Sequence, residues 1–161
     1  IVRLKLIGGK VDVQGIVTSD GSPINWPDYQ DKVVLLTFWA AWNFNSLQEI
    51  WLTDLLEKYQ QSHGDGFEVI GVNLDEKPKL YDEFIKEGIQ ETLHIDEFPW
   101  ITLRTADPDQ VGFDTPLAVT CGISNLPSTV LIGRHGRVLA TTLGGPPLQT
   151  LLSPHLVNAG A

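Results

Sequence analysis

The sequence predicts an α/β protein built on a central mixed sheet with helices on both faces. Three observations carry that expectation. Two apolar, β-branched runs, Lys32–Trp39 (KVVLLTFW) and Phe67–Asn73 (FEVIGVN), have the pattern of strands buried on both faces. Between them Ser46–Ser62 has helical spacing and is long enough to cross from one parallel strand to the next. Toward the C-terminus, Ser128–Ile132 and Val138–Leu143 flank Gly133–Gly136, a hairpin signal.

The elements follow in order. Val11–Val17 (VDVQGIV) reads as a strand and Asp20–Gly21 as a turn. In Ser46–Ser62 the residues Leu47, Ile50, Trp51, Leu55 and Tyr59 fall near one face, so that face is expected in the core, and His63–Gly64 ends the helix. Pro78–Glu87 reads as a helix with Leu80 and Phe84 four apart, stopped at Gly88. Trp100–Thr105 is a short strand and Asp107–Asp114 a loop. Thr115 with Pro116 reads as an N-cap followed by a first-turn proline, opening a short helix that ends near Gly122. A last helix is expected over Leu148–Leu156. Parallel strands joined by right-handed helical crossovers, one hairpin and a closing helix make an α/β sandwich.

The 161 residues fit one domain, 1–161, with 1–10 as an N-terminal extension or linker. The hydrophobic share of 42% suffices for a full core. The 11 Lys and Arg against 20 Asp and Glu leave a net charge of −9, which argues against nucleic acid as a partner. No apolar run approaches the roughly 20 residues of a membrane span, so no membrane insertion by this chain is expected. The lone Cys121 allows no intrachain disulfide. The chain lacks Met and begins at Ile1, so it reads as a processed or excised piece, with any signal peptide or anchor upstream.

The stretch that should carry chemistry is Phe38–Ser46 (FWAAWNFNS), where a buried strand runs into a helix N-terminus. Free backbone N–H groups and the helix dipole stabilise negative charge there. A cysteine at that place would have a lowered pKa and be a good nucleophile.

The residues KVVLLTFWAAW (Lys32–Trp42) resemble the strand and aromatic lead-in of the TlpA-like thioredoxin family. A second stretch, GISNLPSTVLIGRHGRV (Gly122–Val138), resembles that family's cis-proline loop and hairpin, with Pro127 at the cis-proline and Leu126 before it. The resemblance spans about Gly9 to Leu152. It implies a thioredoxin fold, with an N-terminal hairpin over Val11–Asp31 and a helix–strand insertion over Lys77–Thr105. It also implies thiol–disulfide oxidoreductase ancestry and an extracytoplasmic setting, periplasmic or membrane-tethered. The family's Cys-x-x-Cys falls on Asn43, Phe44, Asn45 and Ser46, so both redox cysteines are replaced. Asn has no nucleophile, and a Ser hydroxyl without a base is a poor one and cannot form a disulfide. Thr37 stands where thioredoxins proper often place a buried carboxylate.

The simpler reading of Asn43 and Ser46 is capping. The Asn43 side chain could accept from the backbone two or three residues on, or Ser46 could pair with Glu49 in a capping box. Trp42 and Pro127 are expected side by side, so Trp42, Asn43, Phe44, Leu126 and Pro127 would line a groove able to hold an extended peptide or protein partner. Cys121 reads as a core residue. His94, Asp96 and Glu97 read as an exposed acidic turn whose spacing matches no metal site, and Asp75–Glu76 as a solvated loop or helix start. No cofactor and no metal is expected. Two functions compete. One is a domain without dithiol–disulfide activity that binds a partner through the former active-site groove. The other is a thiol–disulfide oxidoreductase or peroxiredoxin-related enzyme acting through Cys121.

Overall fold

The structure is a computed structural model that describes residues 7–11, 16–18, 20–42 and 44–143. Asn43, the middle of the expected first strand (12–15) and the expected closing helix at Leu148–Leu156 lie outside the described residues.

Six strands form one sheet: β1 (Ile16–Thr18), β2 (Val33–Trp39), β3 (Phe67–Asn73), β4 (Ile101–Thr105), β5 (Ser128–Ile132) and β6 (Val138–Leu143). Their order across the sheet is β1-β4-β3-β2-β5-β6. β2, β3 and β4 run parallel, while β5, β6 and β1 are antiparallel to their neighbours. Every residue of β2 is buried, as the apolar run at Val33–Trp39 requires of a central strand covered on both sides.

Alternation along β2 feeds two cores. Val34, Leu36 and Phe38 join Val130, Ile132, Leu103 and, from helix α4 (Pro116–Cys121), Leu117, Ala118 and Cys121. Val33, Leu35 and Trp39 face the other way, against Trp51, Leu52 and Leu55 of helix α1 (Ser46–Ser62). The same core takes Tyr81 of α2 (Pro78–Glu83) and Ile89 and Leu93 of α3 (Ile89–Leu93). Helices therefore cover both faces, and this is the thioredoxin fold.

Several local expectations need correction. Leu47 and Ile50 are 57% and 60% exposed. The buried face of α1 is Gln48, Trp51, Leu52, Leu55, Lys58 and Ser62, rotated from the face that apolarity alone selects. The chain does not stop at Gly88: a π-helical turn (Phe84–Gly88) links α2 to α3 without a break. α1 does end at Ser62, as His63–Gly64 leads one to expect, and the chain then passes through a 3-10 turn (His63–Asp65) to Gly66 at φ +81°. Thr115 occupies the N-cap position of α4, but its hydroxyl makes no capping bond and is buried without a hydrogen-bond partner. The loop Asp107–Asp114 contains a 3-10 turn at Gly112–Asp114.

At the N-terminal side, Val17 bridges Pro23 across the Gly21 turn, with Thr18 N–H donating to Ser22. The helix–strand insertion over Lys77–Thr105 is α2, the π turn, α3 and β4, which delivers β4 to the far side of β3.

Candidate functional site

β2 ends at Trp39, and the chain leaves the sheet through Ala40, Ala41 and Trp42 before entering α1. Three polar side chains fix that exit. Gln48, fully buried on α1, closes a two-bond clasp on Ala40: its Oε1 accepts the Ala40 N–H at 3.1 Å and its Nε2 donates to the Ala40 carbonyl at 3.3 Å. Asp75, two residues past β3, accepts the N–H of Ala41 and of Trp42, each at 2.9 Å. Asn73 donates to the same carboxylate at 2.8 Å and accepts the Asp75 N–H. Asn45 caps α1, its Oδ1 accepting from Leu47 and Gln48 at 3.0 and 3.1 Å. The cap expected of Asn43 or of a Ser46–Glu49 box is thus supplied by Asn45, and Ser46 is exposed in the first turn. Asn43 itself lies outside the described residues.

Aromatic rings finish the loop. Phe44 is half-buried and packs on Phe84 with centroids 4.9 Å apart, and Phe84 packs on Trp39 at 5.4 Å. The π turn sets the position of Phe84. Trp42 is 48% exposed and meets Phe113 edge-on at 6.5 Å and 86°. Phe113 belongs to the 3-10 turn before α4.

The opposite wall comes from the start of β5. Phe38 pairs with Ser128, so the register puts Pro127 at the sheet end where Ala40–Trp42 departs. Pro127 is buried, Leu126 is half-buried against the core, and the Leu126–Pro127 peptide bond is cis. Ser128 Oγ donates to the Asn125 carbonyl at 2.6 Å and tightens this turn. Trp42, Phe44, Ser46, Leu126 and Pro127 therefore gather at one end of the sheet. The ring that Trp42 touches is that of Phe113.

Beneath the loop, Thr37 is fully buried and its Oγ1 accepts the Trp51 indole N–H at 3.0 Å. A neutral hydroxyl occupies that position in place of an ionisable group. Cys121 is fully buried at the C-terminal end of α4, in the core on the other side of the sheet from α1. His94 closes α3 at φ +59°, and among the described residues no group of three or more His, Cys, Asp or Glu is arranged to hold a metal.

Asp75, Gln48, Asn45, Phe84 and Phe113 are the site residues that sequence reasoning missed. Asp75 was legible in principle, since it follows a buried parallel strand, where carboxylates meet neighbouring loops. Gln48 carried no such signal, because a buried amide looks like surface until its backbone partner is known.

A central parallel strand running into a helix N-terminus, faced by a cis-proline at the start of an antiparallel neighbour, defines a thioredoxin-fold domain. The comparisons agree and add the family. A family model described as thioredoxin-like matches residues 31–138, well over half of the chain, and the chain belongs to that thioredoxin-like family. Among solved structures it is similar to the C-terminal domain of a chain assigned as a thiol-disulfide oxidoreductase from Bacteroides thetaiotaomicron, with 23% identity, TM-score 0.74, and 92% of this chain and 95% of the other covered. The thioredoxin domain of a thiol-disulfide oxidoreductase from Bacteroides vulgatus has 20% identity, TM-score 0.69, and coverage of 92% and 96%. A thiol-disulfide oxidoreductase from Bacteroides fragilis has 20% identity, TM-score 0.68, and coverage of 90% and 98%. At these identities the likeness is one of fold. No curated protein sequence matches the chain. The sequence holds a single cysteine, so neither position of the family's Cys-x-x-Cys carries sulfur.

Proposed function

We propose that this domain has lost dithiol–disulfide chemistry and serves as a binding domain that holds a peptide or protein partner at the former active site. The observation that carries the reading is the placement of sulfur. The reaction needs a thiolate to attack a disulfide and a second thiol to resolve the mixed disulfide. In the sequence the family's two cysteine positions fall on Asn43 and Ser46, and Cys121 is fully buried in the core. A fully buried thiol is out of reach of a substrate disulfide. The loop is nevertheless clamped by Asp75 and Gln48, and Trp42 stands half out of the surface. A preorganised loop with an exposed aromatic suits recognition of an extended chain. The family ancestry further suggests an extracytoplasmic place of work. Among the described residues no helix is long and apolar enough to cross a membrane.

The test is insulin reduction by the wild-type domain, by Cys121→Ala, and by Asn43→Cys combined with Ser46→Cys. Wild type and Cys121→Ala are expected to be equally inactive, and the double-cysteine variant to gain activity. Wild-type turnover near that of a working thioredoxin would overturn the reading. Turnover lost with Cys121→Ala would assign the chemistry to that thiol instead.

A further inference from the structure

The exposed surface around Trp42 has a composition of its own. Trp42, Leu47 and Ile50 are 48%, 57% and 60% exposed. Leu47 and Ile50 are three residues apart on α1, hence on one side of its first turns. Trp42 lies on the loop that feeds this helix and rests edge-on against Phe113. These side chains are apolar and large, and an isolated domain gains nothing by presenting them to water.

Their surroundings are acidic. Glu49 lies between Leu47 and Ile50 on the exposed part of α1, and Asp54 follows one turn later. Asp114 is next to Phe113 and exposed. The Glu76 side chain lies against Gly112, so close that a Cβ there would meet its Cγ at 3.0 Å. Residues 40–57 contain Glu49, Asp54 and Glu57, and residues 105–128 contain Asp107, Asp109 and Asp114, with no Lys, Arg or His in either stretch. Lys58, which is buried, follows the first stretch, and Arg104 precedes the second.

Several of the described basic residues lie at the other end of the sheet. Lys10 bridges Arg137, Arg134 donates to the Asp31 carbonyl at 2.9 Å, and Lys32 sits over the Tyr29 ring where β2 begins. Arg104 lines the same recess as Asp75 and Glu76, so the acidity of the Trp42 face is local and is carried by the exposed Glu49, Asp54 and Asp114.

We propose that this face takes an extended polypeptide segment of another protein in which apolar residues alternate with Lys or Arg. The inference rests on the peptide-binding reading above and adds the chemical class of the partner. Apolar side chains of the segment would cover Trp42, Leu47 and Ile50. Its long cationic side chains would reach the rim carboxylates of Glu49, Asp54 and Asp114 while their stems stay on apolar surface. Such complementary charge steers encounter and rejects acidic chains more than it adds raw affinity.

The test uses the whole chain and three short, end-blocked peptides that alternate valine with lysine, with serine or with glutamate. Binding is read by calorimetry and by the emission lost in Trp42→Phe. The lysine peptide is expected to bind at least about tenfold tighter than the serine peptide, with the preference shrinking as salt rises. The glutamate peptide is expected to bind weakest. Neutralising Glu49, Asp54 and Asp114 together (Glu49→Gln, Asp54→Asn, Asp114→Asn) should erase the preference. Neutralising Glu87, Glu91 and Glu97 elsewhere should leave it intact, which separates a local site from the general pull of an acidic protein. Equal binding of the lysine and serine peptides, or a preference that survives the first triple variant or vanishes in the second, would overturn the inference while leaving a groove. Failure of all three peptides would remove the peptide-binding reading itself.

Discussion

Asp75 accepts from two consecutive backbone N–H groups, and that pairing explains why the exit from β2 keeps its shape without the family's cysteines. The loop Ala40–Trp42 lies outside the sheet ladder, so its donors need partners from elsewhere. A carboxylate with two oxygens matches two adjacent amides. Replacing Asp75 by Ala leaves both donors without an acceptor, and we expect a loss of about 1–3 kcal/mol in denaturant unfolding together with altered Trp42 emission. Asp75→Asn, which keeps one acceptor oxygen, should fall between. A similar argument locates the helix cap. Asn45 accepts from both Leu47 and Gln48, so Asn45→Ala should cost about 1 kcal/mol and Asn45→Asp should be tolerated. A stability unchanged by Asn45→Ala would move the cap elsewhere.

At the scale of the element, α1 shows what periodicity cannot supply. Its boundaries, Ser46–Ser62, were legible from the sequence, because the breakers around it are local. Its rotation was not. Apolar spacing turned Leu47 and Ile50 inward, whereas the fold turns Gln48 inward, since the buried Ala40 backbone needs both a donor and an acceptor. Gln48→Leu follows the hydrophobic pattern better and should nonetheless destabilise by about 2 kcal/mol or more, because two buried backbone groups lose their partners. The insertion teaches the same lesson. Gly88 reads as a helix stop, yet it sits inside the π turn with the Phe84 ring 3.0 Å from where its Cβ would stand. Helix propensity alone favours Gly88→Ala by about 1 kcal/mol. Phe84 cannot retreat freely, being wedged between Trp39 and Phe44. The expected outcome is no gain in stability, with the Phe44 loop loosened, as read by proteolysis or hydrogen exchange at Phe44 and Asn45.

At the scale of the molecule, the strands were the most readable part. β3, β5 and β6 fall on the expected residues, and β2 loses only Lys32, since buried strands announce themselves by composition. The site was half readable. The backbone frame of Trp42, Phe44, Leu126 and Pro127 follows from two separated motifs, whereas the clamp arises from contacts 34 residues apart for Asp75 and 8 for Gln48, so neither residue's partner can be read locally. Long-range placement also governs the end of the sheet where β2 and β3 begin. Tyr29 and Tyr59 both have phenols pushed up to about 12, first by burial and then by Glu68, which interacts with each of them. In the unfolded chain both titrate near the ordinary value of about 10. The folded state therefore keeps two protons that the unfolded state gives up between those limits. Stability is intact below pH ~10 and falls as pH rises to ~12, because over that window the unfolded state binds fewer protons. Phenolate absorbance should show Tyr29 and Tyr59 ionising late. Glu68→Gln should bring the late pair back toward 10 without abolishing the shift, because burial, the larger cause, remains. If Tyr29 and Tyr59 titrate near pH ~10 in the folded protein, the packing of these two rings at this end of the sheet is wrong.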